Sequence, residues 1–196
     1  MRARRVFFSP AFFVVIFCRI WYTFYMKKYD YTAVYQKNLA FLEKLPVFKK
    51  ALLPFSHVVT ALCAVAYAFL IYTAFSKKFT ADTLIRVLGA PVLCLLLVML
   101  LRYAVARPRP YAEDGANIQP ISKKKQGIDN SFPSRHVACA FVIATLFLPF
   151  FTWVAVSLYA LSILLAYARF ALGLHYPSDL IGGAILGVLC GALIFI

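Results

Sequence analysis

The chain has 196 residues, of which 63% are hydrophobic and 17% aromatic, and its mean hydropathy is +0.81. Soluble domains are about 45–50% apolar, so this composition excludes an ordinary water-soluble globule and points to a single-domain polytopic membrane protein covering residues 1–196. The net charge of +14 comes from 21 Lys and Arg against 7 Asp and Glu. The basic residues lie between apolar runs, where lipid phosphates and anionic headgroups are the partners at hand and no nucleic acid is expected. Ordinary topology and anchoring account for most of them.

Residues 1–5 carry Arg2, Arg4 and Arg5 ahead of an apolar, aromatic run at about 6–26. That run is longer than a signal core and has no small-residue cleavage site, so it reads as an uncleaved first span, broken at Pro10 and carrying Arg19. Residues 27–50 are polar, but Val34, Tyr35, Leu39, Leu42 and Leu45 recur near helical spacing. An amphipathic helix lying in the interface is expected there, with a solvated loop as the alternative. A second span follows at about 51–75, with His57 alone near one end, then a short loop with Lys77 and Lys78. The third span, about 83–106, stops at Arg107-Pro108-Arg109-Pro110.

The next loop, to about 132, is the longest polar stretch and holds Lys123, Lys124 and Lys125. Loops of that length are often lids or binding loops. It ends in Asn130-Ser-Phe-Pro-Ser-Arg-His136. Pro133 suits the first turn of a helix. Ser134, Arg135 and His136 then lie where unpaired backbone N–H groups and the helix dipole favour a phosphate. The apolar stretch 134–172 is too long for one span, and Pro149 splits it into a fourth, ending near 150, and a fifth, beginning near 152 and ending in Arg169. A turn through His175 follows, with Ser178 or Asp179 as the expected cap. The sixth span covers about 180–196, and Gly183, Gly187 and Gly191 suit close helix packing.

The five cysteines all fall inside apolar runs and read as small buried hydrophobes. No Cys/His set has zinc spacing and no acidic cluster suggests a cation cage, so no metal or other cofactor is expected. Six spans put the gaps after the first, third and fifth on one side. Arg102, Arg107, Arg109, Ser134, Arg135, His136, Arg169, His175 and Asp179 can then converge at one membrane face. Arginines match phosphate oxygens. Two histidines allow a nucleophile and a proton donor. A carboxylate four residues after His175 can orient its ring.

The pattern resembles the type 2 phosphatidic acid phosphatase (PAP2) superfamily. Its three motifs, Lys-x6-Arg-Pro, Pro-Ser-Gly-His and Ser-Arg-x5-His-x3-Asp, correspond to Arg102-x6-Arg109-Pro110, Pro133-Ser134-Arg135-His136 and Arg169-x5-His175-x3-Asp179. The likeness covers about residues 51–196. It implies an all-α membrane bundle of about six transmembrane helices, acting without metal on a phosphorylated membrane lipid. Polyprenyl diphosphate (such as undecaprenyl diphosphate), phosphatidic acid and phosphatidylglycerophosphate are the candidate substrates. It assigns His175 as the nucleophile that becomes a phosphohistidine, His136 as the proton donor and Asp179 as the residue orienting His175. Arg102, Arg109 and Arg169, with Ser134 and the nearby helix start, are implied to hold the phosphate.

Three positions depart from the family pattern. Arg102 replaces a lysine and keeps its charge. Arg135 replaces a glycine, where a second phosphate is its expected ligand. Ala168 replaces a serine and loses a hydrogen bond. The resemblance also implies a site outside the cytoplasm with both termini inside. Arg2, Arg4, Arg5, Lys77 and Lys78 agree with that orientation; Lys27, Lys28, Lys37, Lys44, Lys49 and Lys50 oppose it and are assigned in part to the interfacial helix. A phosphotransferase using the same histidine, and a non-catalytic protein that binds or transports anionic lipid, are the competing functions. The oligomeric state is not legible in the sequence.

Overall fold

The computed structural model describes residues 31–112 and 130–196. The expected first span and the loop lysines Lys123, Lys124 and Lys125 lie outside the described residues. Among the described residues the fold is helical: α1 (Tyr31–Glu43), α2 (Pro46–Ser76), α3 (Ala81–Val105), a 3-10 turn (Pro110–Ala112), α4 (Arg135–Phe147), α5 (Thr152–Ala171) and α6 (Pro177–Gly191), which runs into a 3-10 tail (Ala192–Phe195).

Local chemistry sets the ends of these helices. Pro46 opens α2 and Pro177 opens α6, each at a position whose N–H would have no intrahelical acceptor. Thr80 caps α3 by accepting from the Thr83 N–H at 3.3 Å, and Asp82 pairs with Arg86 one turn on, at 2.6 Å. Ala106 ends α3 in the left-handed conformation (φ 48°), which turns Arg107 away from the helix axis.

Four stretches are long and apolar enough to cross a membrane: α2, α3 with its continuation to Ala112, α5, and α6 with its tail. They match the second, third, fifth and sixth expected spans. The fourth is a 13-residue helix, about 20 Å long, against a hydrocarbon core of about 30 Å. It is buried nearly all round, because α2, α3, α5 and α6 all pack on it. Ala138, Val142, Ala144, Leu146 and Phe147 form the centre of the main apolar core.

The closest packing is between α4 and α6, and glycines permit it. A Cβ on Gly183 would sit 2.8 Å from the Ser134 carbonyl oxygen, one on Gly187 2.5 Å from that of Ala138, and one on Gly191 2.5 Å from Thr145 Cβ. These are backbone and Cβ atoms that cannot swing aside, so the expected small-residue stripe is a contact surface.

Short turns join α2 to α3, α4 to α5 and α5 to α6. The α2–α3 and α4–α5 turns meet at one end, where Phe79 stacks on Phe150 (4.6 Å) and the Lys77 ammonium lies 5.8 Å from the Phe151 ring. The opposite end collects the residues after α3, the start of α4, the α5–α6 turn and α1.

Three local expectations change. Pro133 precedes α4 and follows a cis peptide bond; Ser134 is the extended N-cap. The reason is a long-range bond: the Ser134 N–H donates to the Asp179 carbonyl at 3.0 Å, which holds Ser134 out of the helix. At α6 the cap position is Tyr176, and Asp179 lies in the first turn. On α1 the buried face is Tyr31, Tyr35 and Leu42, while Val34 is exposed; Leu45, which caps α2, is exposed as well. The partners choose that face: Tyr31 packs edge-on to Tyr176 (4.7 Å), and Tyr35 lies against Gly173, whose φ of +71° brings the α5–α6 turn close.

Candidate active site

Asp179 is the hub of the buried end. Its place in the first turn of α6 lets Oδ2 accept from the Tyr176 N–H at 2.9 Å, satisfying a donor that the helix leaves unpaired. The same oxygen accepts from Ser131 Oγ at 2.6 Å, and Oδ1 accepts from Arg107 Nη1 at 2.7 Å. Arg107 Nη1 also donates to Ser178 Oγ at 2.7 Å, and its guanidinium lies 3.6 Å over the Tyr176 ring. Both charged side chains are essentially inaccessible. A buried pair of this kind is tolerated because each charge is matched and hydrogen-bonded.

His175 lies two residues before this helix and four before Asp179. Its Nδ1 lies 3.5 Å from Asp179 Oδ2, a long contact of the kind that tightens when the ring becomes charged. Only 2% of the residue is exposed. Burial pushes the imidazole pKa down from its ordinary value; Asp179 opposes that, and Arg109 and Arg102 push it further down. His175 is therefore neutral at pH 7. With the Nδ1 proton toward the carboxylate, Nε2 keeps its lone pair.

The sign of the shift sets a pH dependence. The neutral ring persists below the ordinary imidazole value near 6.5, so the acid limb of kcat/KM, which reports the free enzyme, is expected below that value. Stability moves the same way: an unfolded chain takes up a proton that the folded ring excludes, so thermal stability in detergent falls as the pH drops below about 6.5. Rate and melting profiles check both, and an acid limb above the ordinary value would contradict the assignment.

On the other side of His175 the groups are cationic or hydroxylic. Arg109, Arg169 and Ser134 are all buried. Ser134 Oγ and Arg169 Nε and Nη2 are buried without a hydrogen-bond partner. Such groups bear the full desolvation penalty unless a ligand satisfies them. Two guanidinium donors, a hydroxyl and a helix N-terminus form a donor set suited to a tetrahedral oxyanion. Arg102 is half-buried and donates from Nε to the Pro133 carbonyl at 3.0 Å, while Asn130 Nδ2 donates to the Arg102 carbonyl at 2.8 Å. These bonds tie the first motif to the second.

Arg135 and His136 follow Ser134 in the first turn of α4. They head the side of α4 that lines a cavity of about 440 Å³, with Thr60, Tyr67, Leu95 and Cys139 among its walls. Arg135 is exposed and His136 half-buried. Ala168 is fully buried in a second apolar cluster with Leu42, Leu52 and Leu174. Among the described residues, no three His, Cys, Asp or Glu side chains gather as metal ligands.

Most residues named from sequence meet at this end. Arg107 was in the converging set without a task, and its bond to Asp179 spans 72 positions. The signal was the Arg-Pro-Arg spacing, since side chains two apart in an irregular segment need not share a target. Ser131 gave no signal of its own.

Residues 83–196 match the family model described as the PAP2 superfamily. A lipid A 4'-phosphatase of Bacteroides thetaiotaomicron is 34% identical over 99 residues, covering 48% of this chain and 44% of that protein. A putative undecaprenyl-diphosphatase of Escherichia coli is 37% identical over 62 residues, covering 31% of each. The matches thus span under half the length of either relative.

Among solved structures, LpxE of Aquifex aeolicus superposes with a TM-score of 0.59 at 25% identity, over 76% of this chain and 86% of that one. A transmembrane PAP2-type phosphatidylglycerolphosphate phosphatase of Bacillus subtilis superposes with a TM-score of 0.65 at 22% identity, over 94% and 92%. The second likeness is one of fold. The family model covers more than half of the chain and all three motif segments, so the protein belongs to the PAP2 superfamily.

Proposed function

We propose that this protein is a metal-independent lipid phosphatase. It removes phosphate from a membrane lipid phosphate or diphosphate through a phosphohistidine at His175. The observation that carries this reading is the buried, unpartnered donor set of Ser134 and Arg169 in the same cluster as a neutral His175.

His175 Nε2 attacks phosphorus. The bond from phosphorus to the lipid-side oxygen breaks, and His136 gives that oxygen its proton. Water then attacks the phosphohistidine, with His136 accepting a proton, and inorganic phosphate leaves. Asp179 keeps the ring oriented throughout. Arg102, Arg109 and Arg169 stabilise the charge that develops on the phosphoryl oxygens, the largest single contribution expected.

The reading includes topology. A span before α1, together with α2 to α6, makes a six-span single domain over residues 1–196. The site lies at the extracytoplasmic face, and α1 lies in the interface. The relatives named for lipid A and undecaprenyl diphosphate support the substrate class. The cavity beneath His136 suits a lipid chain, and Arg135 at its mouth suits a second phosphate.

Phosphate release in micelles containing EDTA tests the reading, with polyprenyl diphosphate, phosphatidic acid and phosphatidylglycerophosphate as substrates. Release from at least one of them is expected; none, from well-folded protein, would refute it. In the same assay, Arg135→Gly is expected to lower kcat/KM for a diphosphate about tenfold or more relative to a monophosphate of the same chain. An unchanged ratio would remove Arg135 from substrate recognition.

A further inference from the structure

Arg107 and Arg109 are separated by one proline, yet their surroundings differ. Arg107 donates to Asp179 and Ser178, and its flat face rests on Tyr176. Tyr176 is in turn packed by Tyr31 of α1, which also contacts Phe170 at 6.1 Å. The segment after α3 is pinned again where the Ser131 N–H donates to the Arg107 carbonyl at 2.8 Å, while Ser131 Oγ reaches Asp179. The Asp179 carboxylate therefore has three donors fixed from three parts of the chain, and His175 Nδ1 lies 3.5 Å from Oδ2.

We propose that Arg107, seconded by Ser131, is a positioning residue: it holds the Asp179 carboxylate and partly balances its charge, so that His175 is oriented for attack, and it does not bind the substrate phosphate. This rests on the phosphatase reading above. An arginine suits the task because one guanidinium can bond in its plane to the carboxylate and the Ser178 hydroxyl while stacking face-on against the tyrosine. A lysine keeps the charge but loses the fork and the stacking.

The charged and titratable groups around His175 fix the sign of the test. Asp179 on α6, Arg102 on α3 and Arg109 after α3 act on the ring itself; Arg107 after α3 and Tyr31 on α1 act on the Asp179 carboxylate, and Arg169 on α5 lies near Arg109. Removing the Arg107 charge leaves the Asp179 carboxylate less balanced, and an unbalanced anion stabilises a protonated imidazole. The neutral, nucleophilic fraction of His175 then shrinks from the acid side.

The experiment is the pH profile of kcat and KM for lipid phosphate hydrolysis in micelles, with wild type, Arg107→Gln, Arg107→Lys and Ser131→Ala. In Arg107→Gln the acid limb of kcat moves up by about one pH unit. Its kcat falls about tenfold to a hundredfold at acid pH and less at alkaline pH, with KM near that of wild type. Arg107→Lys returns the limb toward its wild-type position without restoring kcat in full. Ser131→Ala shifts the limb in the same direction by less, and it decides the question if Arg107→Gln does not fold.

A raised KM with an unmoved limb would make Arg107 a phosphate ligand and overturn the proposal. A uniform fall in kcat at every pH would make its role purely structural and overturn it equally. If wild type releases no phosphate, or His175→Ala still does, the phosphatase reading itself fails, an outcome distinct from an unshifted limb in an active enzyme.

Discussion

His175→Ala lowers kcat by about 10⁴-fold or more and leaves the helical bundle folded. The loss is large because the nucleophile is one member of a unit, and removing one member of such a unit forfeits most of its rate enhancement. The fold survives because Asp179 does not depend on the ring: Arg107, Ser131 and the Tyr176 N–H still hold its carboxylate. The ring's contact with Asp179 is long, and its main loss is packing volume in the α5–α6 turn. Asp179→Ala is a poorer probe. It strands a buried arginine, a change that costs about 3–5 kcal/mol, so lost activity and lost folding would coincide. The check is phosphate release alongside circular dichroism and a melting curve in the same detergent.

Arg169→Met is expected to raise the stability of the ligand-free protein while cutting kcat about a hundredfold or more. Arg169 is 4% exposed, lies near Arg109, and keeps Nε and Nη2 without partners. Each orphaned donor costs about 1–3 kcal/mol, and replacing a poorly compensated buried ion with an apolar side chain of similar length is often stabilising. The charge is retained for its action on a ligand: a guanidinium aimed at the developing phosphoryl charge is worth about 10²–10³ in rate. Inorganic phosphate or vanadate should raise the melting temperature of wild type, which has buried donors to satisfy, and raise that of Arg169→Met much less. A lower melting temperature in the ligand-free variant would show that Arg169 has compensation within the protein.

What the sequence disclosed follows physical range. Long apolar runs marked α2, α3, α5 and α6 because a membrane demands length and composition, both local properties. The glycine stripe was legible for the same reason: spacing of four on one helix predicts a close-packed face, and Gly183 and Gly187 meet the backbone of α4. The start of α4 was misplaced because the Ser134–Asp179 backbone bond that sets it joins distant segments. Periodicity within α1 marked Tyr35 and Leu42, which are buried, but not Tyr31, whose partners Tyr176 and Phe170 lie far along the chain.

The site divides along the same line. Motif spacing pointed to Arg109, Ser134, Arg169, His175 and Asp179, and these meet in one buried cluster. The tasks of Arg107 and Ser131 depended on three-dimensional contact. The position of Arg135 on the cavity wall, outside the buried arginines, follows from which side of α4 faces α6.

Phosphoryl transfer to His175 is tested most directly by rapid quenching of the enzyme with lipid labelled with ³²P at its terminal phosphate. One phosphoryl group per protein, stable to alkali, labile to acid and located on the peptide containing His175, is the predicted result. Turnover with no trapped label, or a label on any other residue, would contradict a phosphohistidine at His175.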